Sequence, residues 1–97
     1  MAVVAVFQHP SFTRAQYEES VRRLTGGHER VEKASDWPVE GLLVHVAGEG
    51  PNGFRVVDVW ESEEAFQRFG EVIMPIAKAL GIEAQPEVYP VHTLVSV

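Results

Sequence analysis

Cysteine is absent from the chain, and basic residues are scarce. Without cysteine there can be no disulfide framework, no thiolate nucleophile and no cysteine-based metal site. Eight Lys and Arg stand against 14 Asp and Glu, so the net charge is -6. Because nucleic acids and anionic membranes are bound through clustered Lys and Arg, we expect neither of them as a partner.

Long apolar runs are missing as well. The N-terminal run, residues 1–7, reads M-A-V-V-A-V-F and has no basic residue before it, so it is too short for a signal peptide or a membrane span. We therefore expect a cytoplasmic protein. The 97 residues form one domain, 1–97, with a single core, and a domain of this size can bury more surface by associating with itself.

The most informative stretch is residues 53–80, where the spacing of the apolar residues changes. Over residues 54–61 the side chains alternate between two faces, which predicts a strand. Ser62 then suits a helix N-cap, the two acidic residues after it suit the positive end of a helix dipole, and apolar residues follow at helical spacing. The pattern predicts a strand that runs directly into a long helix, which Gly81 ends.

Another helix is predicted in the first half of the chain, after a strand at residues 2–8. Thr13 and Gln16 have the spacing of a capping box, and Phe12 and Tyr17 have the spacing of a hydrophobic staple. A pair of glycines then supplies a left-handed stop. The start of this helix is therefore specified by local chemistry alone.

Three further segments complete the predicted architecture. Residues 27–41 form a loop, 42–47 a strand that pairs with 54–61 in an antiparallel hairpin, and 87–97 a last strand whose Pro90 suits a sheet edge. The element order βαββαβ predicts an α+β, ferredoxin-like fold. Such a fold has a four-stranded antiparallel sheet in the spatial order 4-1-3-2, with both helices on one face.

The two faces of the predicted hairpin differ in the size of their side chains. The helix side is assigned the aliphatic residues Leu42, Val44, Val46, Val57 and Val59. The open face is assigned the others, Leu43, His45, Ala47, Phe54, Val56, Asp58 and Trp60. Because Phe54 and Trp60 would stand in water on an open face, a second copy of the chain should cover it, which predicts a homodimer.

The run V-W-E-S-E-E-A-F at residues 59–66, the element order and the closing P-V-H-T-L-V at 90–95 resemble the dimeric α/β-barrel superfamily, in particular antibiotic-biosynthesis-monooxygenase-like domains. The resemblance implies that two ferredoxin-like protomers pack sheet to sheet, and that an apolar small molecule lies between sheet and helices. The superfamily includes cofactor-independent monooxygenases, haem-degrading enzymes and polyketide cyclases. Membership would therefore not select one function.

Haem and metal sites lack their ligands in this sequence. The haem-degrading branch resembles the chain at Trp60, but its further tryptophan and its histidine would fall at about Phe69 and Ala79. No two histidines have a metal-binding spacing, and His45 and His92 would lie on opposite edge strands, about 14 Å apart at about 4.8 Å per strand step. We therefore expect no haem, no metal and no other cofactor.

Asp58 and His45 form the one predicted pair of side chains that could take part in catalysis. They share a face on adjacent strands, and a carboxylate in mid-strand needs water, a ligand or a partner because an isolated buried charge is costly. An imidazole oriented by Asp58 could act as a general base, or the pair could stabilise a dimer interface. The candidate ligand-binding residues, mostly aromatic side chains that can stack on a planar molecule, are Trp37, Phe54, Val56, Trp60, Phe69 and Tyr89.

Three functions are consistent with these observations. The first is a small homodimeric protein that binds an aromatic or polyketide-like metabolite in an apolar cavity. The second is a cofactor-independent monooxygenase or cyclase, in which Asp58 and His45 assist proton removal from a phenol-like substrate. The third is a structural dimer without a ligand.

Overall fold

The protein is described by a computed structural model that covers residues 1–28 and 31–96. Its elements are β1 (Val3–Gln8), α1 (Arg14–Thr25), a short 3-10 turn (Ala34–Asp36), β2 (Leu42–Gly50), β3 (Gly53–Trp60), α2 (Glu63–Leu80) and β4 (Pro86–Pro90). The strands form one antiparallel sheet in the order β2-β3-β1-β4. This order is the predicted 4-1-3-2 arrangement, so the ferredoxin-like βαββαβ fold is confirmed.

Both helices begin and end where the sequence predicts. At the start of α1, Thr13 Oγ1 accepts a hydrogen bond from the Gln16 N–H at 3.1 Å, and Gln16 Oε1 accepts one from the Thr13 N–H at 3.0 Å. These two bonds confirm the capping box. Ser62 caps α2 by accepting from a first-turn N–H at 3.1 Å. Gly26 and Gly81 end the helices in the left-handed conformation, with φ of 75° and 70°.

The assignment of the two faces was wrong for β3. Phe54, Val56, Asp58 and Trp60 all point toward the helices, where Trp60 stacks on Phe69 of α2 with ring centroids 5.0 Å apart. A layer of helices stands about 10 Å from the sheet, and long aromatic side chains are needed to fill that space. The smaller valine side chains of β3, Val57 and Val59, point to the opposite face. Side-chain size does distinguish the two faces of β3, but the larger side chains face the helices and the smaller ones face away from them.

A β-bulge changes the facing of residues along β2. The register is irregular between Leu42 and Val44, after which His45 lies opposite Asp58. Leu42 is buried in the core beneath the helices, and the bulge brings His45 to the same side as Leu42 even though their separation is odd. Val44 and Val46, which were also assigned to the helix side, consequently lie on the open face.

The face of the sheet opposite the helices consists mainly of valine side chains in two rows. Register places Val44, Val59 and Val4 in one row across three strands. Val46, Val57 and Val6 form the next row. The predicted apolar open face is therefore present, although Phe54 and Trp60 are not part of it.

The last strand is shorter than predicted. β4 spans only Pro86–Pro90 and occupies an edge of the sheet beside β1, whereas a strand over 87–97 was expected. Pro90 has no N–H to donate and so ends the ladder at the edge position that suits a proline. Residues 91–96 follow without regular structure, apart from a Val91 N–H that donates to the Ala2 carbonyl at 2.9 Å. Val97 lies outside the described residues.

Candidate functional site

A cavity of about 410 Å³ lies between the sheet and the two helices. Its apolar lining comes from both helices, from β1 and β3, and from the segments before β2 and before β4, and includes Phe7, Leu24, Trp37, Val56, Phe66, Phe69, Ile73, Ala77 and Ile82. Glu71, Met74 and Gln85 also line it and are exposed to solvent. The cavity therefore opens at the surface between α2 and the segment that leads into β4. Its volume is within the usual range for small-molecule sites.

Three polar side chains form a hydrogen-bonded chain on the wall of this cavity. Asp58 Oδ1 lies 2.6 Å from Nδ1 of His45, and Nε2 of the same imidazole lies 2.6 Å from the hydroxyl of Tyr17. All three residues line the cavity. We call this chain of Tyr17, His45 and Asp58 the polar relay.

Each member of the polar relay is held by the element that carries it. Asp58 and His45 are direct cross-strand partners in the β2–β3 hairpin, where facing side chains are about 5 Å apart. Tyr17 is in the first turn of α1, and it packs against the buried cluster that contains Phe12 and Phe54. Its ring stacks on Phe54 at 4.8 Å and is within 15° of the His45 ring plane. The relay therefore joins α1 to the middle of the sheet.

The buried Asp58 carboxylate has His45 as its charge partner. The Asp58 side chain is 1% exposed and is hydrogen-bonded to His45, whose side chain is 11% exposed. Among the described residues that line the cavity there is no Lys or Arg. Because a buried carboxylate without a partner is costly, His45 is the group that can neutralise it.

Tyr17 remains a protonated phenol over the physiological range. Burial, and secondly the negative charge of Asp58, raise the pKa of Tyr17 to about 12 from its ordinary value of 10.0. Both causes act against the tyrosinate form. The Tyr17 hydroxyl can therefore donate its proton to Nε2 of a neutral His45, or accept from Nε2 when the imidazole is protonated.

The structure brings only some of the predicted site residues together. His45 and Asp58 are in contact, but on the helix side of the sheet rather than on the open face. Of the predicted ligand-binding residues, Trp37, Val56 and Phe69 line the cavity.

Three predicted ligand-binding residues lie elsewhere. Phe54 and Trp60 pack behind the wall, Phe54 against Tyr17 and Trp60 against Phe69. Tyr89 is 45% exposed and shares the open face with its cross-strand partner Val4, because strand parity at the edge directs it away from the helices.

Tyr17 was missed as a functional residue. Its place in the staple accounted for the ring, and nothing further was assigned to the hydroxyl. A signal was available, because Tyr17 continues with Val21 and Leu24 as the core-facing stripe of α1, and a hydroxyl carried into a core needs a partner.

Within residues 1–28 and 31–96, no cluster of three or more His, Asp or Glu side chains is arranged to hold a metal ion. In the same part of the chain, no helix combines the length and apolar character needed to cross a bilayer.

Comparison with solved structures identifies the fold. SnoaB, a cofactor-independent oxygenase from Streptomyces nogalater, superposes with a TM-score of 0.58 at 15% identity, over 97% of this chain and 94% of that one; a mutant of the same oxygenase gives a TM-score of 0.57. A proposed monooxygenase from Shewanella loihica PV-4 gives 0.58 at 16% identity, over 96% of both chains. The chain has the fold of these oxygenases. The resemblance to antibiotic-biosynthesis-monooxygenase-like domains is thereby confirmed as architecture.

At such identities the likeness extends to the fold and not to the reaction. No protein-family model matches the sequence, and no curated protein shows significant sequence similarity to it.

Proposed function

We propose that this protein is a homodimer that binds a small aromatic or polyketide-like metabolite in the cavity between sheet and helices. The observation that supports this is the cavity itself, whose wall is mainly aromatic and aliphatic and carries the polar relay. At about 30 Å³ per water, the volume corresponds to about 14 water-sized groups. A molecule of two or three fused rings with a few substituents has that size, and its oxygen atoms would meet the polar relay.

The proposed dimer covers the valine rows of the open face. Four strands at about 4.8 Å spacing make a face about 14 Å across, and strands of five to nine residues make it about 17 to 30 Å long. An apolar patch of several hundred Å² is rarely left in water by a monomer. Within the two valine rows Val46 is 57% exposed, whereas Val6 and Val59 at the centre are 7% exposed. A second copy presents the same flat valine surface, and two such faces pack as closely as a β-sandwich.

A cofactor-independent monooxygenase or cyclase is the second candidate function. Two observations favour it: SnoaB, described as a cofactor-independent oxygenase, has the same fold, and the polar relay provides a base beside the cavity. Removing a proton from a phenol-like substrate would give an electron-rich anion that reacts with dioxygen or closes a ring. A purely structural dimer is the third candidate, and cytoplasmic residence stays a prediction.

The ligand-binding proposal is tested with 2-methoxynaphthalene, a two-ring probe without an ionisable proton. We expect one probe per protomer by titration calorimetry, and loss of binding in Gly70→Leu, because Gly70 lines the cavity and the four side-chain carbons of leucine would occupy about 120 Å³ of its volume of about 410 Å³. Gly48→Leu is the control, since Gly48 is exposed on β2 outside the cavity and its added Cβ also meets no atom within 4 Å. Failure of the wild-type protein to bind the probe, or equal binding by both variants, would refute the proposal.

The enzymatic candidate requires a further measurement on the same proteins. If it holds, a dihydroxynaphthalene should be consumed together with dioxygen, and Asp58→Asn should abolish turnover while binding of 2-methoxynaphthalene persists. Binding without any turnover would leave the protein a binding protein.

A further inference from the structure

Neither ring nitrogen of His45 is free to touch a ligand. Nδ1 is engaged by Asp58 and Nε2 by the Tyr17 hydroxyl, both at 2.6 Å. A general base must lie within hydrogen-bond distance of the proton that it removes. The imidazole alone, which the sequence suggested for that role, does not satisfy this requirement in the observed arrangement.

We propose that the Tyr17 hydroxyl is the group that contacts an acidic O–H of the bound ligand and exchanges a proton with it, with His45 as the acceptor behind it and Asp58 as a positioning residue. The inference rests on the proposed function, because it requires a ligand in the cavity. It assigns the contact to a residue on α1 rather than to the strand pair, and it specifies a ligand with a phenolic or enolic hydroxyl.

The proton transfer balances without any further reactant. The ligand O–H bond breaks and its proton forms a new O–H bond on Tyr17, while the original Tyr17 proton moves to Nε2 of His45. The ligand becomes an oxyanion, Tyr17 is again a neutral phenol, and His45 becomes an imidazolium between Tyr17 and Asp58. The charge that develops on His45 is stabilised by the buried Asp58 carboxylate, and the oxyanion receives a hydrogen bond from Tyr17.

The surroundings of Tyr17 favour a hydroxyl that passes a proton on while the residue stays a neutral phenol. Burial and the charge of Asp58 both disfavour a tyrosinate and raise the Tyr17 pKa to about 12. Phe54 stacks on the ring and α1 holds the backbone, so the hydroxyl keeps its direction. The only other ionisable side chain among the described lining residues is Glu71, which is exposed at the opening.

The contact is tested first with a matched pair of probes, 2-naphthol and 2-methoxynaphthalene. In the wild-type protein, 2-naphthol should bind about threefold to tenfold more tightly, the range expected for one net hydrogen bond. Tyr17→Phe retains the stacked ring and should abolish this preference while leaving the affinity for 2-methoxynaphthalene unchanged. Tyr89→Phe is the control, because it removes the same hydroxyl from the exposed tyrosine outside the cavity, and it should behave as wild type.

Proton transfer is tested with 4-nitro-1-naphthol, whose anion is coloured. At equal pH, the ratio of anion to neutral form of the bound probe should be about 10-fold or more lower in Tyr17→Phe than in wild type, because a charge-assisted hydrogen bond and the route to His45 are both lost. An unchanged ratio would mean that His45 takes the proton directly, and the inference would be overturned. If the wild-type protein bound none of these probes, the proposed function itself would fail.

His45→Gln separates contact from transfer. A glutamine amide can still hydrogen-bond to Tyr17 but cannot take up a proton. The preference for 2-naphthol should therefore persist, whereas the anion ratio of 4-nitro-1-naphthol should fall as it does in Tyr17→Phe. Loss of the preference with retention of the anion would contradict the assigned roles. Thermal melting of each variant confirms that it is folded before the probes are added.

Discussion

Gly70 is a glycine inside a helix that faces the proposed binding cavity, so a small side chain at this position should add stability without closing the cavity. It lies within α2, lines the cavity, and a Cβ built on it would meet no atom within 4 Å. A glycine in a helix interior costs about 0.8–1.0 kcal/mol relative to alanine. We therefore expect Gly70→Ala to stabilise the protein by about 1 kcal/mol, because the alanine methyl enters empty space.

The expected effect can be measured by thermal unfolding. For a domain of this size, about 1 kcal/mol corresponds to a rise in Tm of about 4–8 °C. One methyl group displaces about one water volume, about 30 Å³, out of about 410 Å³, so Gly70→Ala should still bind 2-methoxynaphthalene. The melts must be compared at equal protein concentration, since the proposed dimerisation would make Tm depend on it.

Gly26 provides the matched control for this measurement. Its added Cβ also meets no atom within 4 Å, but its φ is +75°, a region that alanine enters only at a cost of about 1–2 kcal/mol. Gly26→Ala should therefore lower Tm although it has as much space as Gly70→Ala. A Tm for Gly70→Ala at or below that of wild type would show that the methyl meets resistance, and the open cavity between α2 and the sheet would be refuted.

Two further results are expected. In Tyr89→Phe, the one remaining phenol, that of Tyr17, should titrate with a pKa of about 12 instead of about 10. The free energy of unfolding should be unaffected by this group below pH 10 and should fall as pH rises from about 10 to about 12, because Tyr17 ionises first in the unfolded chain. The loss should be about 1–2 kcal/mol after allowance for the partial exposure of Tyr17. A phenol titrating near 10 by ultraviolet absorbance would contradict this. Val57→Lys places a charge in the middle of the open face and should yield a monomer near 10.8 kDa by light scattering. The control Val72→Lys, at a position on α2 that is 37% exposed, should remain a dimer. A wild-type monomer at micromolar concentration would refute the dimer.

Local sequence chemistry was sufficient for much of this fold. The capping box at Thr13, the N-cap at Ser62 and the glycines that end both helices act over a few residues, so they can be recognised without tertiary information. The change from alternating to helical spacing at Ser62 likewise placed β3 and α2 correctly. Element order then restricted the topology to a familiar sheet order.

The candidate site could be predicted only in part. Two neighbouring strands with a short turn brought Asp58 opposite His45, since hairpin pairing follows from local sequence. Which side of the sheet the pair faces depends on the bulge after Leu42 and on whether aromatic or aliphatic side chains fill the space beneath the helices. Both depend on packing, and side-chain parity alone does not resolve a choice between two apolar faces.

The amino-acid sequence by itself determined the helices, the strand pairing and the presence of a carboxylate that needed a partner, because these depend on neighbours within a few residues or across one turn. Tertiary structure decided that Tyr17, 28 residues before His45 in the chain, completes the polar relay. Its hydroxyl reaches the imidazole only because α1 packs over the β2–β3 hairpin. The cavity was decided in the same way, since it is the space that two helices leave above a sheet, and no local pattern encodes a space between distant elements.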